Sequence, residues 1–81
     1  MAQPRILVAE PSAPIAAAFR KFLVGWADVQ LVSYFDEALQ LVRARPPDVI
    51  IAAVDERFDG ELMVPQVRKL APETAVVLSY P

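Results

Sequence analysis

The sequence predicts a single α/β domain whose parallel sheet is covered by helices on both faces. Three observations indicate this fold class: short, uninterrupted apolar runs alternate with amphipathic stretches, the connections between them are short, and 81 residues suffice for one small domain only. Parallel strands joined by such connections form right-handed crossovers. We therefore expect the element order βαβαβαβ in a three-layer arrangement.

The first strand is predicted at Arg5–Ala9, because this mainly apolar run lacks the polar alternation of a half-exposed strand. Ser12 is a candidate N-cap for the helix that follows, and Gly25 is a candidate end. The apolar positions of this helix recur at steps of three and four residues, namely Ile15, Ala18, Phe19, Phe22, Leu23 and Trp26. One face of the helix is thus predicted to pack on the sheet.

A second strand is predicted at Val29–Val32, and a third at Val49–Val54. Between them, Asp36 is a candidate cap for a helix that stops before the pair Pro46 and Pro47, since a residue that precedes proline disfavours the helical conformation. The third strand consists of six consecutive apolar residues, which is typical of a strand buried in the middle of a sheet.

The same reasoning predicts a third helix and a fourth strand in the last part of the sequence. Pro65 lies within the helical pattern, and proline lacks the amide hydrogen and clashes with the preceding turn. We therefore expect this helix to begin no earlier than about Glu61 and to be short or bent. The fourth strand is predicted at Thr74–Ser79. Since no helical segment follows it, one side of the sheet is expected to lack part of its cover.

Composition and charge exclude several classes of protein. The net charge is −2 and there is no block of basic residues, so we expect no nucleic-acid binding by this domain. The longest nearly uncharged stretch, 11–24, already contains Arg20 and Lys21 and is too short to span a membrane. Without cysteine there are neither disulfides nor thiolate metal sites, and we expect a cytoplasmic protein.

The residue inventory also disfavours an independent enzyme. The chain has neither histidine nor cysteine, which removes the commonest general base and several nucleophile pairings. It has only two glycines, so a glycine-rich phosphate-binding loop is absent from the sequence. Apolar residues make up 56% of the chain, an excess that instead favours a domain built for contact with other protein surfaces.

Five segments, taken in order and at family-like spacing, resemble the receiver domain of two-component response regulators, which has a flavodoxin-like fold. The segments are Arg5–Val8, Glu37–Leu39, Pro47–Ile51, Asp59–Gly60 and Val76–Ser79. The resemblance covers nearly the whole chain, but the family's last helix-strand-helix portion is missing. It implies a parallel sheet of order 2-1-3-4, a single truncated receiver-like domain over residues 1–81, and a place at the N-terminus of a larger bacterial regulator.

In that family, an acid pair after the first strand and an aspartate at the end of the third strand bind Mg²⁺, and this aspartate accepts a phosphoryl group. A hydroxyl residue at the end of the fourth strand senses the phosphoryl group, together with a lysine that would lie in the missing portion. Here the acid pair corresponds to Glu10 and Pro11, and the acceptor to Ala53, or to Ala52 if the loop is aligned differently. Ser79 keeps the hydroxyl. The resemblance therefore implies a vestigial site that cannot be phosphorylated at its usual position.

Asp55 is the remaining candidate acceptor, because it lies two residues beyond Ala53 and would point to the same side of an extended strand. A phospho-accepting receiver with this displaced acceptor is the alternative function. A weak cation site of Glu10 and Asp55, with Asp59, is a second possibility, although carboxylates in loops are usually only solvated. We expect no metal ion and no cofactor.

The function expected from the sequence is that of a non-catalytic, phosphorylation-independent signalling or protein-interaction module. An open strand edge and a bare apolar sheet face both favour association. We therefore predict a homodimer, formed either by pairing of the fourth strands or by packing of the bare faces. The interface candidates are Phe19, Phe22, Thr74, Val76, Val77 and Leu78.

Overall fold

A computed structural model describes residues 3–81 and shows four strands alternating with three helices. The elements are β1 (Arg5–Ala9), α1 (Ala13–Leu23), β2 (Asp28–Val32), α2 (Phe35–Ala44), β3 (Val49–Ala53), α3 (Gly60–Leu70) and β4 (Ala75–Ser79). All strands are parallel, in the order β2-β1-β3-β4. The predicted α/β class, element order and strand order are confirmed.

The central strands β1 and β3 carry the most buried part of the sheet. Leu7 of β1 lies opposite Gln30 of β2 on one side and Ile50 of β3 on the other. Because β1 and β3 each have two neighbours, their side chains are shielded on both edges, and both Leu7 and Ile50 are buried. The two edge strands, β2 and β4, expose every second or third residue.

The main core lies on the face of the sheet that α2 and α3 cover. Alternate side chains of a strand point to opposite faces, and paired residues of parallel strands share a face. The buried residues of this face pack against the inner sides of both helices, as a cluster of Leu7, Ala9, Val32, Ala38, Val42, Ile50, Ala52, Met63 and Val67, among others. Phe35 and Phe58 extend the cluster, with their ring centroids 5.6 Å apart.

The opposite face is covered over only half of its width. Helix α1 packs against β1 and β2, where Ala16 is buried. On the same face, Val77 of β4 is 49% exposed, Ala75 is exposed and Ile51 of β3 is only half-buried. The sequence expectation of an incompletely covered sheet therefore holds for the described residues, and the gap is above β3 and β4. We call this region, made of Val49, Ile51, Ala75 and Val77, the bare half-face.

Helix α1 begins after Ser12, as predicted, but it ends before the predicted end. Ser12 is the N-cap residue, but its side chain makes no capping hydrogen bond, and its amide donates instead to the Glu10 carboxylate. The helix ends at Leu23, whose carbonyl accepts from the amides of Trp26 and Ala27. Gly25 lies two residues beyond this end and has no positive φ, so the prediction that Gly25 ends the helix is wrong.

Helix α2 begins two residues earlier than predicted, and α3 begins within one residue of its predicted start at about Glu61. Asp36 lies in the first turn of α2 rather than at its cap, where its charge meets the positive end of the helix dipole. Helix α3 begins at Gly60 because the Asp59 side chain caps it by accepting from the Leu62 amide. Pro65 lies inside α3 without ending it, and at 11 residues this helix is as long as α1. Of the two predicted forms, short or bent, the short one is therefore wrong. No helix formed by residues 3–81 is long and apolar enough to cross a membrane.

Candidate functional site

The carboxyl ends of three strands bring the predicted site residues together. Glu10 follows β1, and Ala53 and Ser79 are the last residues of β3 and β4, where they pair with each other. Together with Asp55 and Ile15, these three residues line a cavity of about 100 Å³. A cavity of this size has room for about three water molecules or a small ion.

Glu10 is held at the base of this cavity by main-chain groups. Its side chain is only 5% exposed, and Oε2 accepts a hydrogen bond of 3.0 Å from the Ser12 amide. The Glu10 amide donates to the carbonyl of Val32 at the end of β2. The carboxylate therefore stabilises the turn that leads from β1 into α1. The sequence alone did not indicate this structural role of Glu10.

Ala53 stands at the position that the resemblance assigns to the phosphoryl acceptor. It is buried at the end of β3, and its methyl group offers neither a nucleophile nor a metal ligand. The alternative position, Ala52, is fully buried in the core on the other face of the sheet. Neither alignment of the loop therefore supplies an acceptor at the strand end.

Asp55, the candidate displaced acceptor, is engaged in its own loop. Its Oδ1 accepts from the amides of Arg57 at 2.7 Å and Phe58 at 2.9 Å, and its amide donates to the Phe58 carbonyl. These three bonds close a tight turn, which an isolated bridge between Val54 and Asp59 extends toward α3. One carboxylate oxygen is thus committed to two main-chain donors, and the side chain serves to shape the loop.

Phe58 is a structural residue that the sequence reasoning missed. It follows charged residues in a loop, yet it is only 2% exposed and contacts Phe35 of α2. The turn made by Asp55 directs this ring into the core, since both main-chain groups of Phe58 bond back to Asp55. The signal in the sequence that could have predicted the burial of Phe58 is that it is a lone aromatic residue within a charged loop.

The residues named as a weak cation site do not form one in the described part of the chain. Among residues 3–81 no group of three or more Asp or Glu side chains is arranged so that it could hold a metal ion. Asp59 is occupied as the cap of α3, while Glu10 and Asp55 each accept from backbone amides. We therefore assign no cation to this cavity.

The interface candidates divide between the two faces of the sheet. Val77 belongs to the bare half-face, whereas Val76 and Leu78 point to the opposite face and pack partly against the main core. Thr74 precedes β4 rather than belonging to it, because its hydroxyl donates to the Pro47 carbonyl and its amide to Ala71. The side chain of Thr74 is buried and is not available to a partner.

Phe22 and Ile15 continue the bare half-face onto helix α1. Phe22 is 76% exposed and Ile15 is 48% exposed. Ile15 lines the cavity beside Ala53 and Ser79, so this stripe of α1 faces toward β3 and β4. On the other flank of the helix, the Arg20 guanidinium donates a hydrogen bond to a carbonyl of β2. Phe19 lies between the two flanks and is half-buried.

A second cavity, of about 570 Å³, lies at the opposite end of the sheet and is lined in part by Arg5, Arg20 and Arg45. The Arg5 guanidinium donates to the carbonyls of Arg45 and Pro46, at 3.2 and 2.9 Å. Arg20 and Arg45 lie at the C-terminal ends of α1 and α2, where cations balance the negative end of the helix dipole. Hydrogen bonds to the main chain and positions at helix ends explain why these arginines lie here, and we assign no ligand to this cavity.

Comparison with known proteins does not assign a family to the chain. No protein-family model matches it, and no curated protein matches it. The resemblance to receiver domains therefore stays a prediction from the five sequence segments.

Proposed function

We propose that this domain is a receiver-like interaction module that acts without phosphorylation, works in the cytoplasm and associates with a second copy of itself. The observation that carries this proposal is the half-covered sheet. A strand order of 2-1-3-4 places β4 at an open edge, and α1 leaves the bare half-face without a helix. In this proposal, the domain acts by binding another protein chain and not by phosphorylation at the end of β3.

Exposed apolar side chains lie on the bare half-face and on the flank of α1 that faces β3 and β4. Val77 on the sheet and Ile15 and Phe22 on α1 each expose about half or more of the side chain, and Ile15 lines the cavity beside Ser79 of β4. Burial of apolar surface stabilises by roughly 25 cal/mol per Å². Large exposed apolar patches mark protein-protein contacts in soluble domains. Binding of a partner over these side chains is therefore stabilised by the same hydrophobic effect that stabilises the core.

The geometry at the strand ends supports a function without phosphoryl transfer. Phosphoryl transfer depends on an acceptor oxygen placed in line with the donor and on cations that neutralise the transferred charge. Ala53 provides no such oxygen, and the Asp55 carboxylate is directed to the amides of its own turn. Among the described residues, no group of three or more acids is arranged to hold a metal ion.

The association is tested by sedimentation of the wild-type chain at micromolar concentration, where we expect a dimer. Val77→Glu places a charge both on the open edge strand and on the bare half-face, so it should shift the chain to monomer. Gln30→Glu is the matched control, because Gln30 is exposed on the distant edge strand β2. A wild-type chain that sediments as a monomer would contradict the proposal.

Independence from phosphorylation is tested with beryllofluoride and Mg²⁺, which mimic an acyl phosphate. We expect neither the amide resonances nor the melting temperature to change when both are added. If the wild-type chain responds and Asp55→Ala abolishes the response, Asp55 is an acceptor and the alternative, a phospho-accepting receiver, is correct. The Glu56→Ala variant serves as control, since Glu56 is an exposed acid of the same loop.

A further inference from the structure

The outer edge of β4 offers main-chain hydrogen-bonding groups to a partner. The Ala75 amide donates to the Asp48 carbonyl, and the Ser79 carbonyl accepts from Val54, so these ends of β4 point to β3. Successive residues of a strand direct their main-chain groups to opposite sides. Val76 and Leu78 therefore direct their N–H and C=O groups away from the sheet.

The residues of β4 are not of the types that block unwanted strand pairing. Residues 75–79 include no charge, no proline and no glycine. The side chains of Val76 and Leu78 pack partly against the core, which holds the backbone in an extended conformation. The edge is thus preorganised to receive a further strand, and little conformational entropy is lost when one pairs with it.

The other edge of the sheet is protected. In β2 the Asp28 amide donates to Pro4 and the Val32 carbonyl accepts from Glu10, so the Val29 carbonyl points outward. The guanidinium Nη2 of Arg20 donates to this carbonyl at 3.4 Å. A charged side chain at a sheet edge discourages pairing with another chain. The two edges of the sheet therefore differ, and within residues 3–81 nothing pairs with or covers the outer edge of β4.

We propose that β4 pairs antiparallel with β4 of a second copy, around a two-fold axis at Val77. In this register Val76 lies opposite Leu78 of the second copy and Leu78 opposite Val76, so that four main-chain hydrogen bonds form. Val77 lies opposite its own equivalent as a pair without hydrogen bonds, which brings the two side chains close together. This inference rests on the proposed function and specifies how its dimer is built.

A second copy fits the edge better than an unrelated peptide for two reasons. The outward groups of Val76 and Leu78 are arranged symmetrically about Val77, so the edge is complementary to itself. The two-fold axis also joins the bare half-faces into one apolar surface and leaves the protected β2 edges at both ends of an eight-stranded sheet. Growth therefore stops at the dimer, since an isologous contact closes on itself.

A single introduced cysteine tests the register directly, because the chain has no cysteine of its own. In Val77→Cys the paired Cα atoms would be about 4.5 Å apart, within the range of about 4.4–6.8 Å that a disulfide requires. In the control Ala75→Cys the two thiols would be four residues apart along the strands, or about 14 Å. We expect mild oxidation to cross-link the Val77 variant at least about tenfold faster, and equal rates would overturn the proposed register.

Proline substitutions test the edge without a new thiol. Val76→Pro removes an amide that makes no bond within the monomer and should weaken the dimer at least about tenfold. Leu31→Pro does the same on β2, since Leu31 also points its amide outward and is also half-buried. We expect it to leave dimerisation unchanged, and circular dichroism verifies that both variants are folded.

The possible failures can be distinguished. If the wild-type chain is a dimer that Phe22→Glu dissociates and Val76→Pro does not, the copies pack by their bare faces. The proposed pairing of the β4 strands is then wrong, while the proposed association with a second copy remains valid. If the wild-type chain is a monomer at micromolar concentration, both proposals fall.

Discussion

Gly60, the first residue of α3, lies directly against the carbonyl oxygen of Ala53, the last residue of β3. A β-carbon at Gly60 would be 2.5 Å from that oxygen and 3.0 Å from the carbonyl oxygen of Ala52. Both neighbours are backbone atoms of the central sheet and cannot rotate away. The close approach brings the start of α3 to the end of β3, where the turn made by Asp55 connects the two elements.

Gly60→Ala should therefore destabilise the domain by about 1–3 kcal/mol, because the added methyl group forces a shift of the backbone. Chemical denaturation measures this change in the free energy of unfolding. Gly25→Ala is the matched control, since nothing lies within 4 Å of the added carbon and Gly25 has no positive φ. The control should be neutral or stabilise the domain by up to about 1 kcal/mol. Equal losses in both variants would show that the contact with β3 is unimportant.

The fold was predictable because its strands are continuous apolar runs. The bounds of β1 were predicted without error, and those of β3 to within one residue, since a run such as Val49–Val54 has few alternatives to a buried strand. The resemblance to receiver domains groups Glu10, Ala53 and Ser79 at the carboxyl ends of the strands, and in the structure the three residues line a common cavity there.

The details of the loops were not predictable, because tertiary closure decides them. Phe58 is buried only because Asp55 folds the loop back, and no local periodicity reports such a turn. The capping of the helices was likewise not predictable from the sequence. Ser12 and Asp59 both fit the preference for a capping residue, yet only the Asp59 side chain makes a capping bond, whereas the Ser12 amide donates to the Glu10 carboxylate.

The two caps can be compared by substitution. Asp59→Ala removes the bond from the Leu62 amide to Oδ1 and should destabilise the domain by about 1 kcal/mol. Ser12→Ala removes a side chain that makes no capping bond, so its effect should stay within about 0.5 kcal/mol. Thermal unfolding of both variants measures the difference. A larger loss for Ser12→Ala than for Asp59→Ala would contradict the assignment of the caps.

The buried hydroxyl of Thr74 ties the loop before β4 to the loop before β3. It donates a 2.6 Å hydrogen bond to the Pro47 carbonyl. Thr74→Val keeps the shape but leaves this carbonyl without its donor, so we expect a loss of about 1–2 kcal/mol in unfolding free energy. Thr74→Ser keeps the hydroxyl and should retain most of the stability. If denaturation shows Thr74→Ser to be the weaker variant, packing of the methyl group rather than the hydrogen bond fixes this loop.

Tyr80 is expected to ionise at a higher pH than an ordinary tyrosine. Its hydroxyl donates a 2.5 Å hydrogen bond to Oε1 of Glu61, and this bond, followed by partial desolvation and by the negative charges of Glu61 and Asp59, raises its pKa above 10.0. The raised pKa means that the folded state holds the proton more tightly than the unfolded state. The stabilising contribution is therefore fully present below pH 10.0 and is lost as the pH rises through the folded pKa.

The absorbance of the ionised phenol measures this pKa in a Tyr34→Phe background, where Tyr80 is the only tyrosine left. Glu61→Ala removes the acceptor and the nearest charge, so the midpoint should move down toward 10.0. Glu73→Ala, which removes an exposed acid elsewhere, is the control and should leave the midpoint in place. An unchanged midpoint in Glu61→Ala would mean that Tyr80 and Glu61 are not bonded in solution. Tyr80 would then lack the side-chain hydrogen bond that joins it to α3.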